Sequence, residues 1–197
     1  MNFVAHQYLS FGNPQLQIGN LLGEIVKGKQ YLDYPTMIQK GILLHRSIDT
    51  FTDSNIIVKQ SSSYFHETQH KFAPIIIDVI YDYFLIKHWT NFSGIPFEEF
   101  KTNSYQFFKN EYDSFPKKLQ ETIFYLLKYD WFNNYSTLEG IQKTLKGIGS
   151  RTKFENNLHE ALPEIEKNYH YLENDFLSFF PQIQKHCQNF IYTDFQV

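Results

Sequence analysis

Proline, glycine and capping residues divide this chain into consecutive segments whose apolar residues recur at helical spacing. The pair Asn13-Pro14 is typical of an N-cap followed by proline at the first helical position, and Gly28 is typical of a helix end. Between them, apolar residues such as Leu21 and Ile25 recur three or four positions apart. No segment shows sustained alternation of polar and apolar residues bounded by hairpin turns. We therefore predict an all-α fold, a single compact domain over residues 1–197 with about eight or nine helices.

The same signals predict the other helix boundaries. Further helices are expected to begin at Pro35, at Asp53 or Ser54, at Pro74, at Pro96, at Pro116 and at the capping sequence Ser136-Thr137-Leu138-Glu139. Gly147 and Gly149 are expected to end the last of these helices. A final helical region over about 154–180 is expected to break or kink at Pro163 and to restart as a short piece at Pro181.

Composition excludes several classes of protein. With 42% hydrophobic and 20% charged residues the chain is globular, and the 18% aromatic content predicts a core built on large rings. The net charge of −3 argues against general nucleic-acid binding. A lone cysteine, Cys187, excludes an intrachain disulfide, a zinc finger and an iron–sulfur site. Without a secretory signal or a membrane-length apolar run, we expect a cytoplasmic protein that does not bind membranes.

Two carboxylates interrupt the most apolar segment, residues 73–89. Asp78 and Asp82 are four residues apart, so on a helix they share one face. A carboxylate among apolar side chains is costly unless it is paired, protonated or bound to a metal. The structural alternative is that both residues cap or bridge neighbouring helices.

A second pair of metal-capable residues lies upstream. His45 and Asp49 are also four residues apart, among isoleucines and leucines, and imidazole with carboxylate suits Mn, Fe or Zn. We predict that this helix faces the helix of Asp78. His6 and Glu24 are further candidate ligands, although either can equally be an ordinary surface group.

Arginine is rare in this chain, which has 16 lysines but only two arginines, Arg46 and Arg151. Arginine offers a planar, bidentate geometry that lysine lacks, and phosphate contacts are its obvious use here. The alternatives are chance and buried structural salt bridges.

The stretch His66-Glu67-Thr68-Gln69-His70 matches the H-E-x-x-H pattern of zinc metalloproteases. Its surroundings are polar, and no downstream third-ligand motif follows. We therefore predict that His66 and His70 do not bind a catalytic metal.

The motifs, taken together, resemble the acyl carrier protein phosphodiesterase family over essentially the whole chain. They are MNFVAH, GNLLGEIVKG, HRSIDTFTD, the block APIIIDVIYDYFLIKHW and GIGSR, in this order and spacing. The family is regarded as a divergent relative of HD-type phosphohydrolases, which implies an HD-like fold. Its activity is removal of the 4′-phosphopantetheine arm from holo acyl carrier protein, with Mn²⁺ as the favoured metal.

The resemblance implies roles for individual residues. The implied metal ligands are His6, Glu24, His45, Asp49 and Asp78; Glu24 stands where the family usually has Asp. Asp82 is the predicted general base and Arg46 the predicted contact to the phosphodiester oxygens. The predicted substrate-binding residues are Lys87, His88, Arg151 and Lys153. The candidates for a basic surface that binds an acidic carrier protein are Arg46, Lys87, Arg151 and Lys153. Tyr81 and Trp89 are candidates to line a channel for the arm, with core packing as the alternative.

Two other functions stay open at this stage. One is an HD-like phosphohydrolase of a nucleotide or a small phosphate ester. The other is a helical module that binds carrier proteins without catalysis. The oligomeric state is not fixed by the sequence, and a monomer is slightly favoured.

Overall fold

A computed structural model describes residues 1–193, and within that range the chain forms helices and no strands. The predicted all-α class is confirmed. The helices of eight or more residues are α2 (Pro14–Gly23), α3 (Thr36–Ser54), α4 (Ile56–Ser63), α6 (Ala73–Lys87), α8 (Phe97–Glu111), α9 (Lys117–Lys128), α11 (Leu138–Arg151) and α13 (Tyr169–Thr193). The shorter helices are α1 (Phe3–Tyr8), α5 (His66–Gln69), α7 (Trp89–Phe92), α10 (Trp131–Asn134) and α12 (Leu162–Lys167).

Asparagine side chains accept hydrogen bonds from backbone N–H groups at the start of three of these helices, α1, α2 and α4. The Asn13 side chain accepts hydrogen bonds from the backbone N–H groups of Gln15 and Leu16, as the sequence predicts for α2. The prediction that Asp53 or Ser54 caps the next helix is wrong. Both residues belong to the last turn of α3, and Asn55 caps α4 by accepting from the Ile57 N–H.

Glycine proves a poor guide to helix ends in this chain. Helix α2 ends at Gly23, and Gly28 instead adopts a positive φ of 54° in the connection that follows. Helix α11 continues through Gly147 and Gly149 to Arg151. Burial on one face of a helix outweighs the roughly 1 kcal/mol that an internal glycine costs.

Pro181 does not restart a helix, because α13 runs through it to Thr193. Phe179, Phe180 and Ile183 around it are fully buried, so packing holds the helix together where proline removes a backbone hydrogen bond. The Gln182 side chain donates 2.8 Å to the Ser178 carbonyl, which satisfies one acceptor in this turn.

Helices α2 and α3 pack with their backbones in contact at Gly19 and Gly41. A Cβ atom on Gly41 would lie 2.6 Å from the Leu16 carbonyl oxygen and 2.7 Å from the Gly19 Cα. Only glycine at both positions allows this approach. The close approach brings Asn20 on α2 against His45 on α3.

Helix α6 lies in the middle of the core and is buried on most of its surface. Its buried apolar residues include Ile76, Ile80 and Phe84, and Phe176 of α13 stacks on Phe84 with ring centroids 5.9 Å apart. The core is rich in aromatic rings, as the composition predicts. Of the helices described, none combines the length and the hydropathy needed to cross a bilayer.

Candidate metal centre

Three side chains converge from two helices to form a cluster of ligand atoms. His6 of α1 and His45 and Asp49 of α3 each place one ligand atom within 4.8 Å of the other two. His6 Nε2 lies 3.4 Å from Asp49 Oδ1, and His45 Nε2 lies 3.3 Å from Asp49 Oδ2. Both histidines are buried, whereas the Asp49 side chain is 48% exposed. The cluster therefore opens to solvent on the side of Asp49.

Asn20 fixes the orientation of both histidine rings. Its Oδ1 lies 2.7 Å from His6 Nδ1 and 3.1 Å from His45 Nδ1. Its Nδ2 donates to the His6 carbonyl and to Ser10 Oγ, which determines which end of the amide is oxygen. Because an amide oxygen only accepts, each Nδ1 carries a proton, and in a neutral ring the Nε2 lone pair then points towards Asp49.

The pKa values of His6, His45 and Asp49 are shifted because the three side chains lie close together. Burial disfavours the charged form of His6, but its hydrogen bond to Asp49 and the negative charge of Asp49 together outweigh burial and raise the pKa of His6. Burial and the positive charge of His6 lower the pKa of His45 to about 3. Burial alone would raise the pKa of Asp49, yet the hydrogen bond from His6 and the electrostatic attraction of the groups around the carboxylate together make the net shift downward. When no metal ion is bound, the His6 and His45 Nε2 atoms and the Asp49 carboxylate share one proton.

This donor set fits a divalent metal ion. Two oriented Nε2 atoms and a carboxylate are the mixed nitrogen and oxygen donors that suit Mn, Fe or Zn. The neighbouring Thr52 Oγ1 is buried and has no hydrogen-bond partner among the residues that the structure describes, although Thr52 lines the cavity beside the cluster. That hydroxyl is therefore able to donate to an oxygen atom held in the cavity.

Asp82 lies behind α1 and not in this cavity. It is fully buried, its Oδ2 accepts from the Val4 N–H at 2.8 Å, and its Oδ1 accepts from the Asn2 N–H at 3.1 Å. Burial raises its pKa to about 6. A carboxylate at the N-terminus of a helix complements the helix dipole, so Asp82 anchors α1 and thereby positions His6. Its use as general base stays a prediction.

Three other carboxylates border the cavity of about 360 Å³ next to the cluster, namely Glu24, Asp53 and Asp78. Asp78 contacts the amino group of Met1. Its presence beside His45 and Asp49 means that α3 and α6 face one cavity, as the sequence predicts. Glu24 and Asp78 lie outside the three-residue cluster, and their role as ligands stays a prediction.

The two arginines lie in different cavities near the cluster. Arg46 donates to the Val26 carbonyl at 3.2 Å, has its guanidinium 5.3 Å from the Tyr31 ring centroid, and lines a cavity of about 240 Å³ with Lys27, His45 and Asp49. The Arg151 guanidinium lies 5.8 Å from the Trp131 ring centroid and lines a separate, larger cleft.

The other residues predicted to bind substrate lie elsewhere. Lys87 Nζ and His88 Nε2 each lie 2.7 Å from one oxygen of Glu173, so a carboxylate already contacts both. Lys153 is exposed after the end of α11. Substrate binding by these three residues stays a prediction. Tyr81 and Trp89 are 0% and 3% exposed and therefore belong to the core.

The H-E-x-x-H stretch does not form a continuous helix. Helix α5 ends at Gln69, and His70 adopts a positive φ of 47°. Spacing of four residues brings two histidines onto one face only within a helix, so His66 and His70 lack the geometry of the zinc motif.

Sequence reasoning missed two residues of the site. Asn20 stands in the motif GNLLGEIV as a polar residue on an otherwise apolar face, and that isolation is the available signal. For Asp53 the sequence predicts only the start of a helix, whereas the residue borders the cavity.

The fold and the site define an all-helical protein with a histidine and carboxylate centre that opens to solvent. The sequence profile of the acyl carrier protein phosphodiesterase family matches residues 1–183. The chain is 32% identical over 190 residues to the acyl carrier protein phosphodiesterase of Klebsiella pneumoniae (strain 342), which covers 96% of this chain and 98% of that protein. The proteins of the same name from Enterobacter sp. (strain 638) and Yersinia pestis are 31% and 30% identical, with the same coverage.

This chain therefore belongs to the acyl carrier protein phosphodiesterase family. Membership places it among the hydrolases that act on a phosphodiester bond. No solved structure matches the chain, so the HD-like fold stays a prediction.

Proposed function

We propose that this chain hydrolyses the phosphodiester that joins 4′-phosphopantetheine to holo acyl carrier protein, in a reaction that depends on a divalent metal ion. The names of its relatives support the substrate. The observation that carries the metal dependence is the single Asn20 oxygen that accepts from His6 and His45 and aims both Nε2 lone pairs at Asp49.

His6, His45 and Asp49 are the proposed ligands, and Mn²⁺ is the ion that the resemblance implies. A bound divalent ion supplies Lewis-acid stabilisation of negative charge on the phosphoryl oxygens and eases deprotonation of the attacking water. Asp49 is the exposed member of the set, so the phosphodiester approaches from its side.

Positive charge beside the cluster is proposed to hold the phosphodiester. Arg46 and Lys27 line the small cavity that also contains His45 and Asp49. A guanidinium there is positioned to donate to a non-bridging oxygen as negative charge grows in the transition state.

A carboxylate at the edge of the cavity is proposed to accept the proton of the water. Desolvation and the negative charges of Asp78 and Asp49 raise the pKa of Asp53, which makes its carboxylate more basic than usual. Asp53 borders the cavity, whereas the oxygens of Asp82 accept hydrogen bonds from the α1 backbone. Asp53 is therefore the alternative to Asp82 as base.

The test is incubation of holo carrier protein with the purified enzyme and Mn²⁺, followed by intact-mass measurement. Loss of the mass of the phosphopantetheine arm is expected, and a chelator should abolish it. Asp49→Asn keeps the shape of the side chain but removes its charge, and is expected to lower the rate by at least about 100-fold, beyond the 10- to 100-fold typical of residues around a ligand.

The matched control is Asp113→Asn, the same change at an exposed position distant in sequence, which should retain the wild-type rate. An unchanged mass of holo carrier protein with wild-type enzyme contradicts the proposed substrate. Equal rates for Asp49→Asn and wild type contradict the proposed centre.

A further inference from the structure

A cleft of about 1050 Å³ lies between α9, α10, α11 and the first residues of the chain. Pockets for small molecules commonly span roughly 300–1,000 Å³, so this cleft is large enough for an extended organic group. Its aromatic lining comes from Phe3, Tyr125, Tyr129, Trp131 and Tyr135. Hydroxyl and amide groups of Thr122, Asn134 and Thr144 add hydrogen-bonding partners.

The cleft adjoins the cavity of the metal centre. Asn2 and Phe3 line both the cleft and the cavity that contains His6, His45 and Asp49. The Phe3 ring contacts the Trp131 ring edge-to-face, with centroids 5.5 Å apart, so Phe3 lies at the junction of the two. On its other side, the same central cavity shares Glu24, His45 and Asp49 with the small cavity of Lys27 and Arg46.

A phosphodiester bound at the metal centre has two substituents, and each must occupy a different space around the centre. The protein substituent is a folded domain and cannot enter a cleft. The other substituent is a flexible chain with amide groups and a branched apolar portion. Aromatic rings beside amide and hydroxyl groups match that mixed chemistry, as ligand pockets combine apolar walls with a few polar contacts.

We infer that this cleft binds the pantetheine arm of the substrate, which extends from the metal centre past Phe3 to Trp131 and Tyr129. The inference rests on the function proposed above. It also assigns the carrier protein itself to the opposite side, where Lys27 and Arg46 line the small cavity.

Gly147 offers a way to fill the cleft without disturbing the fold. It lies within α11, lines the cleft, and a Cβ atom added to it would meet no other atom within 4 Å. A Gly147→Phe substitution therefore places a ring in the open space of the cleft. Gly94 is an exposed glycine that is also open within 4 Å and does not line the cleft, so Gly94→Phe is the matched control.

The first measurement is the affinity of wild type and both variants for free pantetheine, determined by NMR titration. The inference expects binding to wild type and to Gly94→Phe, with affinity at least tenfold weaker for Gly147→Phe. Absence of pantetheine binding to wild type, or equal affinity in all three proteins, overturns it. Thermal melting of each variant establishes that the protein is folded.

The second measurement compares cleavage of holo carrier protein with hydrolysis of bis(p-nitrophenyl) phosphate, which lacks the arm. Gly147→Phe is expected to lower the ratio of the two rates at least tenfold, and Gly94→Phe to leave it unchanged. If wild type cleaves holo carrier protein and the ratio does not fall in Gly147→Phe, the inference about the cleft is wrong and the proposed function stands. If wild type binds pantetheine in a Gly147-dependent way but leaves holo carrier protein intact, the cleft stands as a binding site and the proposed function is wrong.

Discussion

His6 and His45 lie on different helices, yet their rings face each other with centroids 4.4 Å apart and hydrogen-bond to the same oxygen of Asn20. Two buried imidazoles at this distance repel each other when both are charged. The arrangement is stable when both rings are neutral, or when one proton or one metal ion is held at their Nε2 side. Asn20 therefore determines the protonation pattern of the centre without contacting a ligand bound there.

Replacement of Asn20 by leucine is expected to weaken Mn²⁺ binding by about 10- to 100-fold, the effect typical of a residue that orients metal ligands. The change leaves the Nδ1–H groups of two buried histidines without an acceptor, which costs about 1–3 kcal/mol for each. Isothermal titration with Mn²⁺ measures the affinity, and Asn103→Leu, at an exposed position on α8, is the control. Asn20→Asp should retain more affinity than Asn20→Leu because a carboxylate still accepts from both rings. Equal affinity for Asn20→Leu and wild type would contradict the orienting role.

Alanine at both His66 and His70 is expected to leave Mn²⁺ content and hydrolysis close to wild type. The positive φ of His70 interrupts the helix that would align the two rings. Metal analysis and the intact-mass assay measure the outcome, with His6→Ala as the variant that should lose both. A 100-fold loss of hydrolysis in the double variant would assign the H-E-x-x-H stretch to the active centre.

Glu173 is expected to contribute a pH-dependent share of stability through Lys87 and His88. Partial burial would raise its pKa, but the hydrogen bonds from Lys87 and His88 and the electrostatic attraction of these groups together outweigh burial and lower it. For a carboxyl group whose pKa is lower in the folded state, the stabilisation is present above the unfolded pKa of about 4.5 and is lost as pH falls through the folded value.

Glu173→Gln should thus lower the free energy of unfolding by roughly 0.5–1 kcal/mol at pH 7, and the difference from wild type should shrink as pH falls below the unfolded pKa of about 4.5. Urea denaturation across this pH range measures it, with exposed Glu99→Gln as the control. A difference that does not change with pH would mean that Glu173 acts through packing and not through charge. If Lys87 instead serves the substrate, Lys87→Ala raises KM at unchanged stability.

Gly41→Ala is expected to destabilise the protein by about 1–3 kcal/mol, the usual cost of inserting an atom into a packed interface. Helix propensity alone predicts the opposite sign, since alanine is favoured over glycine by about 1 kcal/mol inside a helix. The added Cβ would lie 2.6 Å from the Leu16 carbonyl oxygen, so α2 and α3 must separate. Gly147→Ala, where the Cβ meets nothing within 4 Å, should be neutral or stabilising. Thermal melting of both variants tests the contrast.

The all-α class could be predicted from the sequence alone, because spacing and capping signals each lie within one segment. Asn13 and Pro14 begin α2 as expected, and the four-residue spacing of His45 and Asp49 places them on one face of α3. The family could also be predicted from the sequence motifs, because a match over residues 1–183 combines evidence from many positions. Local signals did not predict where α11 and α13 end. Helix α11 continues through its internal glycines, and α13 continues through Pro181 because Phe180 and its neighbours are buried.

Which of the metal-capable residues come together depends on how the helices pack and could not be predicted from local patterns. From the sequence, Asp82 is as plausible a metal ligand as Asp49. Because α1 packs against α6, however, the Asp82 carboxylate accepts hydrogen bonds from backbone N–H groups at the start of α1. Asn20 joins the centre because Gly19 and Gly41 let two backbones touch, a relation between distant positions that no local pattern records. The distinction has a physical reason: spacing along a helix fixes which face a side chain occupies, and packing between helices fixes what that face meets.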